Sequence, residues 1–377
     1  MKVLIVIKSM IIGGSEKLIK DICKFYDKDK IDLYVATITN GLWDEEIDNN
    51  IVKHFYFERI KEKYTFFDRV KKYFVNIPLY KTLEEEFDVC IVFREGMFDF
   101  MEYVKAKKYI LWIHEDYAYW GKNKNTKNIG GWRYLLLTNL KKRYLKKYDA
   151  LVACTENARE SYELYYKIKD VKVVTNSINE IDVQNKCNED INLPIEFKDN
   201  YIVNVNRLEV EKRVELLVDL FYECLKKDKN LKLVIIGDGN NRKFVEEKID
   251  KYNISENCLL FGETTNPFPY VKHAKMLVST AWHESFGLAV AEAMCLGVPA
   301  VCLWNRGIDA FIKNGISGVT VNSNEEFIDE VIKVSNNEEY RQMLSKNAKE
   351  SIREFADIVG YVRKVEDFIF KVYNQEL

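Results

Sequence analysis

The sequence predicts an α/β protein built as two doubly wound domains, each a parallel sheet covered by helices. Three observations carry that expectation. The chain has 377 residues, and a single core stops growing at roughly 250–300 residues, so two domains are expected. Short apolar runs alternate with amphipathic stretches along the chain, the rhythm of repeated strand–helix–strand units. A polar stretch at 179–200, rich in Asn, Asp and Glu, interrupts that rhythm and reads as a linker.

The elements follow in order. Residues 3–7, 32–37, 89–93, 109–113 and 150–153 are short runs dominated by apolar side chains, as strands buried on both faces require. Helical patterns lie between them, as at 16–25 and 139–147. After the polar stretch come strand-like runs at 201–205, 231–236, 258–261, 276–279 and 299–302. From about residue 355 one long helical pattern runs on with no strand after it. The expected domains are therefore 1–180 and 181–357. A final helix, about 358–377, is expected to cross back to the first. No internal repeat or low-complexity tract is visible.

Composition narrows the class. Hydrophobic residues make up 47% and charged residues 31%, a globular balance. A net charge of −2 argues against nucleic acid as a partner. The eight cysteines show no C-x-x-C spacing, which argues against a zinc ribbon or a redox pair and suits a reducing, cytoplasmic setting. The apolar start is too short for a signal peptide, and no apolar run of about 18 residues appears. Residues 105–147 hold 12 Lys/Arg against Glu115 and Asp116, interleaved with Tyr117, Tyr119, Trp120, Trp132, Tyr134 and Tyr144. The bland reading is a solvated helix face. The functional one is peripheral contact with an anionic membrane, where each basic residue adds about 1 kcal/mol and aromatic rings sit at headgroup level.

Four stretches carry chemistry. Glu284, Ser285, Phe286, Gly287 and Leu288 follow a strand and open a helix that contains Glu292. Free amides at a helix start, with the helix dipole, suit an anion, and a carboxylate accepts well from vicinal hydroxyls. Arg207 and Lys212 flank the loop after the strand at 201–205, where two cations can clamp a diphosphate and stabilise its departure. Gly13 and Gly14 follow the first strand, and Gly237 stands in a similar turn. Glycines let backbone approach a ligand, although the G-x-G-x-x-G spacing of a dinucleotide site is missing. His114 lies at the carboxyl end of a strand, where ligands of open α/β sheets bind. Each stretch has an ordinary structural reading: a helix cap, a salt-bridged loop, a tight turn, a satisfied histidine.

Together they resemble glycosyltransferase family 4, enzymes of GT-B fold. The resemblance spans 201 to about 321 and is thinner before that. It rests on Arg207 with Lys212, Gly237-Asp238-Gly239 and the pair Glu284 and Glu292, eight positions apart. Gly13-Gly14, His114 and Asn176-Ser177-Ile178 match shorter landmarks. The resemblance implies two facing Rossmann-like domains, a carboxyl-terminal one for the nucleotide sugar and an amino-terminal one for the acceptor. It implies metal-independent transfer with retention at the anomeric carbon and no cofactor. Glu292 would bind ribose, and the amides of Phe286 to Leu288 the sugar and diphosphate. Arg207 and Lys212 would hold the diphosphate, Glu284 would face the donor sugar, and His114 would position hydroxyls without acting as an obligatory base.

The sequence departs from the pattern after residue 302. The acid expected at 310 is Ala310, with Asp309 one position early. Asp27-Lys28-Asp29 spells the metal motif of a different transferase fold but lies in a polar turn, and four scattered histidines also argue against a metal. UDP is the expected donor nucleotide, GDP the runner-up, with a glycan or lipid-linked acceptor in bacterial surface polysaccharide synthesis. Two other classes share the fold: a hydrolysing nucleotide-sugar epimerase, which needs no acceptor, and a non-catalytic partner subunit, which would have lost its charged site residues.

Overall fold

The computed structural model of the chain describes residues 1–61, 78–114, 139, 141–197 and 200–376. They fold as two compact units, Met1–Asn176 with Val359–Leu377, and Ser177–Ile358.

The first unit is built on seven strands: β1 (Lys2–Val6), β2 (Asp32–Thr37), β3 (Lys53–Tyr56), β4 (Glu86–Val92), β5 (Lys105–Ile113), β6 (Ala150–Ala153) and β7 (Lys172–Val173). Their order is β3-β2-β1-β4-β5-β6-β7, and every pairing is parallel. Val3 lies opposite Leu33 on one side and Val89 on the other. The strand order therefore reverses between β1 and β4, and the crevice outside such a reversal is where open α/β sheets take ligands. Helix α1 (Gly14–Phe25) leaves β1 and buries Leu18, Ile19, Ile22 and Cys23, the i, i+3/i+4 stripe that its sequence spells. Two further helices are α2 (Asp44–Asp48) and α3 (Glu156–Tyr166). Thr155 caps α3 by accepting from the Ala158 amide at 3.1 Å.

The second unit repeats the plan with β8 (Tyr201–Val205), β9 (Lys232–Ile236), β10 (Cys258–Gly262), β11 (Leu277–Ser279), β12 (Ala300–Leu303) and β13 (Val319–Val321), ordered β10-β9-β8-β11-β12-β13 and again all parallel. Its reversal falls between β8 and β11. Period-two alternation splits each strand between two cores. Val203, Val234, Ile236, Leu277, Ala300 and Cys302 enter one, while Ile202, Leu233, Ile235, Val278, Val301 and Leu303 enter the other. Each fully buried Val, Leu or Ile contributes about 1.5–3 kcal/mol, so a charge on any of these strands would be severe.

The linker expected at 179–200 is not one. Helix α4 (Glu180–Lys186) and a 3₁₀ turn, Ile195–Phe197, bury Val183, Cys187, Leu193 and Phe197 in the second unit's core. Asn179 caps α4 by accepting from the Asp182 amide at 2.9 Å. A few apolar residues at helical spacing suffice to dock a segment whose other side chains face water. The strands alternate with α5 (Val214–Lys227), α6 (Arg242–Tyr252), α7 (Phe268–Lys272), α8 (Leu288–Cys295), α9 (Asn324–Asn336) and α10 (Glu338–Ile352). The closing helix α11 (Ile358–Asn374) belongs to the first unit, as expected. Phe368 packs edge-on to Trp112, and Glu366 accepts from the Asp27 amide at 2.6 Å. Among the described residues no helix is long and apolar enough to cross a membrane.

Candidate functional site

In the second unit the predicted residues gather at the carboxyl ends of β8, β9, β11 and β12. After β8 the chain passes Arg207 and a single 3₁₀ turn, Val210–Lys212, and enters α5 through Arg213 in the left-handed region. Two contacts fasten this loop to the end of β11: Thr280 Oγ1 donates to the Arg213 carbonyl at 2.9 Å, and the Trp282 amide donates to the Glu211 carbonyl at 3.1 Å. The result is an ion pair between Lys212 Nζ and Glu284 Oε1 at 2.6 Å, with side chains only 13% and 15% exposed. Two residues that the sequence assigned to separate tasks are therefore partners. Lys Nζ has three donors, so two remain to meet an anion. Arg207, half exposed, reaches Glu211 at 3.6 Å and is the looser cation.

Glu284 leads into the turn that opens α8. Gly287 caps that helix with φ +81°, a conformation that suits glycine and leaves the first amides of α8 without helical carbonyl partners. Leu288 starts the helix, and Ser285 is partly exposed beside the turn. Phe286 points the other way, into the core against Phe311 and Phe355 at 5.4 and 5.7 Å, so only its backbone can face a ligand. Glu292, one helical face further on, is 8% exposed. Sequence reasoning missed the floor beneath Glu284. A side chain on Gly307, after β12, would collide with the Glu284 carbonyl. Asn305, buried, accepts from the Gly307 amide at 3.1 Å and donates to the Ala281 carbonyl at 3.2 Å, holding that loop in place. The signal was the segment already noted as a departure. Its Asp309 accepts from the Trp304 indole at 3.3 Å. Gly237, with φ +140°, abuts the Asn206 carbonyl, so two strand-end loops leave no room for a side chain there.

The first unit holds the other predicted residues. A Cβ on Gly13 would meet the Glu16 carboxylate, so the space over Gly13, beside Gly14, is taken by the chain itself. Glu16 is buried, accepts from Ser15 Oγ at 2.8 Å, and lies 3.6 Å from Arg94. His114 caps β5. Burial, and the Arg94 guanidinium, hold its imidazole down to about 3, so it is neutral at physiological pH. A general base needs a pKa near the working pH, and His114 is suited to hydrogen bonding instead. Arg94 and Glu95 were also missed, although two charges directly after the β4 run are the same strand-end signal that singled out His114. Asn176, buried, ends this stretch, and Ser177 and Ile178 both donate to the Phe355 carbonyl at 2.8 Å, which gives two of the three landmark residues a structural task.

Most of the basic aromatic region falls outside the described residues, including Glu115 to Tyr134. Its described part requires one correction. Lys141 and Tyr144 are buried, Lys141 against the rings of Phe98, Tyr162 and Tyr166 at 5.4–5.6 Å, and Tyr144 donating to Glu102 at 2.6 Å. Lys107 and Lys108 pair with Asp88 and Asp149. Arg143, Lys146 and Lys147 remain exposed. Asp27 pairs with Lys30 at 2.8 Å and accepts from the Asp29 amide, a turn device that holds its carboxyl below the usual range.

Residues 187–351 match the family described as glycosyl transferases group 1. This segment is similar to that family. Two curated relatives match part of the chain: an uncharacterized glycosyltransferase of Methanocaldococcus jannaschii, 29% identical over 52% of this chain and 47% of that protein, and the alpha-monoglucosyldiacylglycerol synthase of Acholeplasma laidlawii, 31% identical over 43% and 41%. The chain spans about half the length of these relatives. Among solved structures, Anabaena HepE in complex with UDP and glucose superposes with a TM-score of 0.73 at 14% identity, covering 98% of this chain and 100% of that one. The chain has the GT-B fold, and the Lys212–Glu284 pair lies within the segment that matches the family.

Proposed function

We propose that this protein is a retaining, metal-independent glycosyltransferase. It moves a hexose or N-acetylhexosamine from a UDP-sugar to a glycan or lipid-linked acceptor in bacterial surface polysaccharide synthesis. The observation that carries this reading is the shielded Lys212–Glu284 pair beside the free amides that open α8. The second unit takes the nucleotide sugar and the first the acceptor. Lys212 and Arg207 meet the diphosphate, the α8 amides add positive potential, and Glu292 accepts from the ribose hydroxyls. As the anomeric C–O bond to the diphosphate breaks, the leaving oxygens gain charge that fixed cations stabilise more in the transition state than before it. The acceptor oxygen then bonds to the anomeric carbon from the face the diphosphate left, and its proton passes to the departing phosphate. HepE was crystallised with UDP and glucose, and the Acholeplasma relative bears a glucosyl-transfer name, which supports a UDP-sugar donor here.

With UDP-glucose and UDP-N-acetylglucosamine as donors, turnover should stay within about twofold when EDTA is in excess. Loss in EDTA that Mn²⁺ restores would contradict the cation clamp. Rapid multiple-turnover release of free sugar without acceptor would favour the epimerase. We place the protein in the cytoplasm, at the inner membrane face, through the exposed Arg143, Lys146 and Lys147. Changing these three to Glu should abolish binding to anionic liposomes at low salt and leave UDP affinity unchanged. A parent protein that ignores such liposomes shows the region to be a solvated face.

A further inference from the structure

The second unit holds a cavity of about 500 Å³ that the proposed chemistry has not used. It is lined by the turn at 310–317, which follows β12, by the last turns of α10 and by the 3₁₀ turn Arg353–Phe355 after them. Lys212, Glu284 and Glu292 take no part in it. Its walls are fastened to each other. Asn347, on α10, donates to the Ile316 carbonyl at 3.1 Å, and Ser351, one turn on, donates to the Phe311 carbonyl. Ser317, 1% exposed, accepts from the Lys313 amide at 2.9 Å and closes the turn on itself. The space is therefore held open by the fold, and its volume falls within the range of small-molecule sites, about 300–1,000 Å³.

The lining selects the occupant. Lys313 and Arg353 stand with Glu350 and Glu354, two charges of each sign. A phosphate would meet both carboxylates and a metal ion both cations, so neither is favoured. Seven of the nine lining residues are polar, which disfavours a wholly apolar ligand. Glu350 and Arg353 pair with each other at 3.4 Å, which leaves Lys313 as the donor and Glu354 as the acceptor. An ammonium only donates and a carboxylate only accepts, whereas a hydroxyl does both. A sugar ring offers several hydroxyls at once. Its C–H face would cover Ile316, a branched aliphatic side chain that is 54% exposed in the wall. A small zwitterion would answer the two charges and leave Ile316 bare. We propose that this cavity is a saccharide-binding site, taking an uncharged sugar ring between Lys313 and Glu354 and over Ile316. It is separate from the nucleotide-sugar site proposed above and does not depend on that proposal.

Methyl carbon-13 spectra of the full chain labelled at isoleucine test it, with Ile316 assigned as the signal missing from Ile316→Val. Titration with N-acetylglucosamine or glucose should move the Ile316 signal along a saturable curve in the millimolar range, equally with UDP in excess. Lys313→Met combined with Glu354→Gln should weaken that binding by about tenfold or more, as loss of one hydrogen bond to a charged group does. The double variant should melt as the parent does, because both side chains are exposed. Inorganic phosphate and glycine should leave Ile316 unmoved. No saturable movement with either sugar overturns the site, and so does equal affinity in the double variant. Saturation by phosphate or glycine also overturns it, since the cavity would then be an ionic site. Failure of the proposed function is separate: UDP would not bind, whatever sugar does to Ile316.

Discussion

Lys212→Met is expected to lower sugar transfer by about 100- to 1,000-fold, the usual loss when one preorganised charge donor is removed from a transition state. The effect should fall on kcat, because the leaving diphosphate gains its charge after binding. The pairing with Glu284 adds a second consequence. Methionine leaves a carboxylate that is 15% exposed without its cation, and stranding one member of a buried pair costs up to about 3–5 kcal/mol. Lys212→Met should therefore also melt lower than the parent. Adding Glu284→Gln should recover most of that stability and none of the turnover. Glu284→Gln alone frees Lys212, so UDP should bind at least as tightly as to the parent while transfer falls. Steady-state kinetics and melting curves of the four proteins check this. Additive stability losses would show the pair to be incidental, and a normal kcat in Lys212→Met would remove Lys212 from the chemistry.

Glu292→Gln should weaken UDP binding by roughly tenfold or more. A hydrogen bond to a charged group is worth about 1.5–3 kcal/mol, and each 1.4 kcal/mol is a factor of ten in Kd. Glutamine keeps the shape of this 8%-exposed side chain but carries no charge and turns one acceptor into a donor. Calorimetry with UDP reads the effect directly. A folded variant that binds UDP as the parent does would remove the ribose contact from Glu292.

The sequence showed the fold best where burial is complete. Strands at 32–37, 150–153 and 201–205 lie where the apolar runs put them, since a strand covered on both faces can be nothing but apolar. Three of the four edge strands escaped notice. β3 is Lys-His-Phe-Tyr with no residue fully buried, β7 has two residues and β13 three, too short or too wet to show a pattern. In the candidate site, residue types were legible and partnerships were not. Lys212 and Glu284 are 72 positions apart in sequence, and only the docking of the loop after β8 onto the end of β11, through Thr280 and Trp282, brings them to 2.6 Å. Gly307 was invisible as a requirement, because its constraint is the Glu284 backbone pressing against it. Phe286 looked like a ligand residue from its place in the turn, yet its ring fills the core.

The most direct test of the central claim is a thermal-shift series of the unaltered chain with UDP, GDP and ADP in excess EDTA. A ligand that binds only the folded state adds about 2.7 kcal/mol at a hundred times its Kd. UDP should raise the melting temperature in a saturable way and by more than GDP or ADP. If no nucleoside diphosphate raises it, the Lys212–Glu284 loop and the start of α8 are not a nucleotide site, and the glycosyltransferase reading falls with them.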